Sequence, residues 1–304
     1  MRKIYNEINN VILDAPMEEY TSFKAGGKAE ALILPKSRED LMDALQILNE
    51  SRTPYMIMGN GSNILVKDGG YPGAIVKLGD GFSHIETHGE EITAGCGALL
   101  SAVARHAHQE GLTGMEFACG IPGSLGGGVF MNAGAYEGEM KNILRWVRLL
   151  SSDGREEITR QASELEMGYR TSSLQRSGEI VLEATLKLST GDKDKIGAKM
   201  RELMDRRNSK QPVDYPSGGS FFKRPVGHFA GKLIQDAGLS GFSVGGAQVS
   251  TLHAGFVINK GGATATDIIQ LMHIVQAKVM EKFQVKMEPE IRIIGEDLPE
   301  MTDV

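Results

Sequence analysis

Several things are scarce in this 304-residue chain. It has two cysteines, one tryptophan, 6% aromatic residues and no excess of basic charge, the formal net charge being −6. Cys96 and Cys119 lie in separate segments without CxxC or zinc-type spacing, so reduced thiols are expected rather than a disulfide framework. The acidic balance argues against nucleic acid or an anionic membrane as the main partner. No run approaches the roughly 18 uncharged apolar residues of a membrane span. The opening MRKIYNEINNVILDAP is broken by Asn, Glu and Asp, unlike a secretory signal, and a cytoplasmic protein is expected. His106 and His108 are two apart and face differently on a helix, HExxH is absent, and no metal is expected. Ser62, Ser124 and Ser220 all lack the G-x-S-x-G elbow, which leaves a hydrolase triad without an anchor.

Glycine is what the chain has in excess, 38 residues against a usual share of about 7%. Residues 119–135 read CGIPGSLGGGVFMNAGA, where Gly123, Gly126, Gly127, Gly128 and Gly134 recur among Ile121, Leu125, Val129, Phe130 and Met131. Glycine loses the most conformational freedom on folding, and linkers are polar, so a buried and closely approached backbone is the better reading. GNGSN at 59–63 admits two readings: successive amides forming an anion-binding concavity, or an Asn60-Gly61 hairpin turn, which is favoured when the stretch is taken alone. Gly95 and Gly97 resemble part of a dinucleotide fingerprint, but Leu100 holds the third glycine position; helix–strand packing is expected there.

The pattern predicts an α+β chain. A strand at 29–35, a helix over 37–52 capped by Ser37 with Leu41, Leu45 and Leu48 on one face, and strands at 54–58 and 74–78 form a strand-helix-strand unit. Hairpins follow over 83–95 and, around Asp153-Gly154, over 145–158, with a helix ended by Gly111 between them and a half-buried strand at 179–189. After Thr190 a charged helix leads to a proline-punctuated loop, and the final third carries a short helix near 231–238, a strand at 255–260, a helix over 266–283 and a last strand near 290–294. Ser220 is expected on a loop between Pro216 and Pro225; Arg170 and Glu290 read singly as a surface arginine and a strand end.

Taken together, GNGSNILV (59–66), GMEFACGIPGSLGGGVFMNAGAYEGEM (114–140), YRTS (169–172), GGSFFKRP (218–225), GGAQVSTLHAGFVIN (245–259) and EPEIRIIG (288–295) resemble the UDP-N-acetylenolpyruvoylglucosamine reductases, or UDP-N-acetylmuramate dehydrogenases, of bacterial cell-wall synthesis, over residues 20–296 and in the expected order. The likeness is to the family's shorter second type, since no lid insertion interrupts the C-terminal segment and the lid tyrosine of the first type has no counterpart. It implies two lobes of the PCMH or vanillyl-alcohol-oxidase type, 1–80 and 81–205, sharing one non-covalent FAD, and a C-terminal α+β substrate-binding domain, 206–304. It implies NADPH as co-substrate, hydride transfer from reduced flavin to the enolpyruvyl group of a UDP-sugar, and no obligatory protein partner. Carried over residue by residue, Arg170 and Glu290 stabilise the enolate and Ser220 donates the proton. Gly59, Asn60, Gly61, Ser62 and Asn63 would form a pyrophosphate loop, with Gly123, Ser124, Gly127, Asn132 and Ala135 bordering FAD. Lys210, Lys223, Gln248, His253 and Asn259 would meet the substrate's diphosphate and uridine.

Overall fold

The computed structural model describes residues 2–136 and 138–298, and the chain divides into two compact units interleaved in sequence. The first comprises Met1–Ile12, Ala31–Asn60 and Ala74–Arg206; the second comprises Leu13–Glu30, Gly61–Gly73 and Arg207–Val304. This partition differs from three consecutive lobes. Segments 13–30 and 61–73, expected in the first lobe, belong with the C-terminal third, and Met1–Ile12, Ala31–Asn60 and 81–205 form one unit.

The first unit is built on an antiparallel five-stranded sheet in the order Glu157–Gln161, Leu144–Leu150, Ile180–Lys187, Glu91–Gly95, Ile85–His88. Both predicted hairpins are present, and Gly154 turns the second at φ +77°. The helix Arg38–Glu50 starts where its sequence says: the Ser37 hydroxyl accepts from the Asp40 amide at 3.1 Å, and Leu41, Leu45 and Leu48 are buried. The helix Leu100–Glu110 ends on left-handed Gly111, φ +72°. Strand Ile180–Lys187 is not half-buried as its alternation predicts; all of Ile180–Leu186 is buried. Its polar members find partners across the sheet, Thr185 with the Thr93 hydroxyl at 2.6 Å and Glu183 with Arg148 at 3.2 Å, so polar spacing here conceals burial on both faces.

In the second unit a four-stranded sheet runs Ser217–Ser220, Phe256–Asn259, Ala247–Val249, Ser243–Val244, with helix Ala265–Phe283 supplying Ile268, Leu271, Val275 and Val279 to a separate core. Three ties bring its early segments to that core. Ile64–Val66 pairs in parallel with Arg292–Ile294; the Asn259 amide donates to the Phe23 and Lys24 carbonyls at 3.0 and 3.1 Å; and the Asp68 carboxylate accepts the Ala265 and Thr266 amides at 2.9 and 2.7 Å, capping the long helix. Among the described residues, no helix is long and apolar enough to cross a membrane.

Candidate functional site

The strands on either side of GNGSN do not form a hairpin. Tyr55–Met58 pairs in parallel with Tyr71–Lys77, and Ile64–Val66 pairs in parallel with Arg292–Ile294, so the Asn60-Gly61 turn reading is corrected. The segment is a loop at the carboxyl end of a strand, the place where α/β units expose main-chain amides to ligands. Both glycines are closely approached, Gly59 by a side chain and Gly61 by main chain. A Cβ on Gly59 would lie 2.1 Å from the Ser124 hydroxyl, and Gly61, at φ +67°, would put one 2.2 Å from the Tyr20 carbonyl oxygen. The Asn60 side chain donates to the Pro122 carbonyl at 2.6 Å, tying the first half of this loop to the glycine-rich segment.

That segment folds as a helix, Leu125–Phe130, with Ser124 as its cap. Gly126 and Gly128 pack inward: a Cβ on Gly126 would come within 2.8 Å of the Cys96 Cβ, and one on Gly128 within 3.1 Å of a Leu100 methyl. Burial pushes the Cys96 thiol up to about 12, so this sulfur is a neutral packing group. Gly127 differs. It is exposed, and a Cβ there would meet only the Ser124 hydroxyl, at 3.5 Å, so the buried-backbone reading of this stretch does not hold at this position. The protein gives Gly127 no internal reason to be bare; an external group lying on this helix would. Gly95 and Gly97 pack against the 79–82 turn rather than a helix, since a Cβ on either would strike the Phe82 or Gly79 carbonyl oxygen at 2.1 or 2.2 Å.

Asn132 and Arg170 are fastened to the same short segment, in which Ala135 pairs with Gly138. Asn132 is fully buried at φ +47°; its amide donates to Glu139 at 2.8 Å and to the Gly168 carbonyl at 2.9 Å, and its oxygen accepts the Lys141 amide at 2.9 Å. The side chain is spent on the fold, so only its backbone can border a cofactor. Arg170 is half-buried with φ +55°, and its guanidinium donates to the Gly134 carbonyl at 3.2 Å and lies 5.1 Å from the Tyr169 ring centroid. Left-handed non-glycine residues cost energy and persist where surroundings hold them. Ser172 and Gln175, which sequence reasoning missed, do the holding: Ser172 donates to the Phe130 carbonyl at 2.6 Å, and Gln175 to the Phe130 and Arg170 carbonyls at 3.2 and 3.1 Å. Ser172 lies in the quoted YRTS stretch but carried no role there, and no sequence signal marked Gln175.

In the second unit the residues just after Ser220 pair with the segment that ends in Glu290, seventy positions along the chain. Ser220 ends a strand rather than sitting on a loop, its register set by Phe256, and it is exposed. The amide of Glu290 donates to the carbonyl of Phe221, the residue after Ser220, at 2.8 Å, while the Glu290 carbonyl accepts the Asn63 side-chain amide at 3.0 Å. The backbone of Glu290 is thus held on both sides, its segment paired with the residues that follow Ser220. Gly61 and Ser62 belong to this unit with Asn63.

The five expected substrate contacts divide. All four hydrogen-bonding positions of the buried Asn259 are taken, its oxygen by the Gly261 and Ala263 amides at 2.9 and 3.1 Å in addition to the two carbonyls above, so it is a structural amide. Gln248 is likewise engaged, donating to the Gly241 carbonyl at 3.1 Å and the Ser243 hydroxyl at 2.9 Å within its own hairpin. Lys210 is exposed at the end of helix Lys193–Lys210, and Lys223 lies 3.8 Å from Glu288, a loose surface pair that leaves its charge available. His253 accepts the Gly255 amide on Nδ1 at 3.1 Å, which leaves the ring hydrogen on Nε2, and burial lowers its pKa from the usual value. It offers a hydrogen-bond donor rather than a charge. Among the described residues, no group of His, Cys, Asp or Glu could hold a metal ion.

Residues 29–160 match the model of a family described as FAD binding domain. The bare face of Gly127, which the protein itself does not fill, fits a flat cofactor laid against main chain in this unit. Fold and family model together define an α+β protein carrying an FAD-binding domain. Residues 211–294 match a second family model, described as the UDP-N-acetylenolpyruvoylglucosamine reductase, C-terminal domain. Proteins of that name from Clostridium perfringens (strain 13 / Type A) and Clostridium botulinum (strain Loch Maree / Type A3) are 49% and 50% identical to this chain, covering 97% and 95% of it and 96% and 94% of themselves. The crystal structure of UDP-N-acetylenolpyruvylglucosamine reductase (MurB) from Thermus caldophilus superposes with a TM-score of 0.80 at 34% identity, covering 93% of this chain and 98% of its own. The chain belongs to the UDP-N-acetylenolpyruvoylglucosamine reductase family.

Proposed function

We propose that the protein reduces UDP-N-acetylglucosamine enolpyruvate to UDP-N-acetylmuramate with electrons from NADPH, in the cytoplasm, as a step of peptidoglycan synthesis. The observation that supports this reading is the main-chain bond from the Glu290 amide to the carbonyl of Phe221, the residue after Ser220, which brings the two segments bearing these groups together. When bound and reduced, FAD supplies a hydride to the terminal methylene carbon of the enolpyruvyl group.

The chain's own residues handle the charge and proton that follow. Negative charge develops from the adjacent carbon onto the substrate carboxylate, and Arg170, whose planar fork suits carboxylate oxygens, stabilises it. Glu290 acts on the same developing enolate, to which a carboxyl group in its acid form would donate a hydrogen bond. Each preorganised donor of this kind is worth about 3 to 4 kcal/mol of barrier. Ser220 delivers a proton to the carbon that bore the charge; a hydroxyl is a weak acid, so its placement matters more than its acidity. Lys210 and Lys223 are retained for the diphosphate and His253 for a neutral hydrogen bond; Gln248 and Asn259 are not.

Anaerobic mixing tests the reading. NADPH should bleach the flavin, and colour should return on adding the enolpyruvyl sugar nucleotide. Ser220→Ala should bleach normally but recover colour at least ~100-fold more slowly, as loss of a general acid does. Recovery at the wild-type rate in that variant would remove Ser220 from the mechanism.

A further inference from the structure

Gln175 is an exposed residue of the four-residue helix Leu174–Ser177, where a glutamine would ordinarily be a solvated surface group. Its amide nitrogen instead bridges two main-chain carbonyls, 3.1 Å from that of Arg170 and 3.2 Å from that of Phe130. The first belongs to a residue at φ +55°, whose left-handed backbone turns its carbonyl out of any regular ladder. The second ends the glycine helix. Ser172 and Asn132 cross the same gap, at 2.6 Å to the Phe130 carbonyl and 2.9 Å to the Gly168 carbonyl, so the turn bearing Arg170 is fastened on both flanks. Those two are buried and shape the core; Gln175 is the exposed fastener, and the only one of the three that bonds to Arg170 itself among these contacts.

We propose that Gln175 is a positioning residue for Arg170, fixing the direction from which the guanidinium reaches the substrate carboxylate; this rests on the role given to Arg170 above. Because the two carbonyls lie near solvent, water replaces the lost bonds when Gln175 is removed, and the fold suffers little. What is lost is alignment, to which a charge-stabilising group is sensitive over fractions of an ångström.

Gln175→Met keeps the length of the side chain and removes its donor. In the holoenzyme, melting temperature, flavin content and the rate of bleaching by NADPH should stay at wild-type values. The rate of colour recovery at saturating enolpyruvyl sugar nucleotide should fall roughly five- to tenfold, the scale of one ordinary hydrogen bond. In an Arg170→Lys background the same change should slow recovery by less than about twofold, because the group it positions is already gone. Wild-type recovery in Gln175→Met, a fully additive loss in the double variant, or a parallel fall in melting temperature and flavin content would each overturn the proposal. Arg170→Lys recovering colour at the wild-type rate would instead sink the role of Arg170 on which it rests.

Discussion

Gly127→Ala separates what the fold requires from what a ligand requires. Three consecutive glycines in one short helix cost about 1 kcal/mol each relative to alanine, about 3 kcal/mol together. Contacts at 2.8 Å to Cys96 and 3.1 Å to Leu100 account for Gly126 and Gly128, whereas a methyl on Gly127 would make one ordinary contact at 3.5 Å. Considered without its cofactor, the protein should therefore gain up to about 1 kcal/mol from Gly127→Ala, raising the melting temperature of flavin-stripped protein by roughly 2 °C. Flavin binding should move the other way. Forcing a methyl into a packed contact costs about 1 to 3 kcal/mol, which weakens affinity roughly 5- to 150-fold. Calorimetry of the stripped protein gives the first quantity, and titration of FAD, followed by quenching of flavin fluorescence, gives the second. A variant that binds FAD with wild-type affinity would show that the cofactor does not lie on this helix; a stripped variant that melts lower would show that Gly127 has an internal role after all.

The remaining predictions concern polar groups inside the second unit. Thr21 is 5% exposed, and its hydroxyl has no hydrogen-bond partner among the described residues, so Thr21→Val should stabilise the protein by about 1 kcal/mol in urea denaturation; a loss of stability would reveal a partner. Asn259→Ala orphans two carbonyls and two amides and should cost about 3 kcal/mol or more while leaving the KM for the sugar nucleotide unchanged; a stable variant with raised KM would return Asn259 to the substrate contacts. Burial holds His253 below its usual pKa of about 6.5, so on acidification the unfolded chain takes up this proton before the folded one does. Its contribution to stability is therefore present above about pH 6.5 and lost as pH falls through the lower folded value. His253→Gln should flatten the decline in urea midpoint between about pH 7.5 and 5.5, and a decline as steep as wild type would rule His253 out as its source.

Local signals carried far where the structure itself is local. Ser37 with three leucines at helical spacing located one helix, Gly111 stopped another, and Asp153-Gly154 turned a hairpin, because cap, stop and turn are decided by residues within a few positions of one another. The Asn60-Gly61 reading failed for the complementary reason. The turn chemistry was sound, but the flanking strands find better partners at 71–77 and 292–294, and nothing in eight residues announces a pairing more than two hundred positions away. Asparagines failed differently. An amide can serve a ligand's polar groups or the chain's own carbonyls equally well, so the side chains of Asn132 and Asn259 read as binding groups until their partners were located. The segments bearing Ser220 and Glu290 meet through two main-chain bonds around Phe222 and Pro289, a pairing that neither segment announces alone. The glycine-rich stretch joins these cases. Its composition says that something comes close to the backbone, but crowding at Gly126 and Gly128 and openness at Gly127 are properties of neighbours brought from elsewhere in the chain. A glycine with only an ordinary contact and no positive φ, placed where helix propensity argues against it, is therefore more specific evidence for a bound group than the crowded glycines around it, which the chain's own atoms account for.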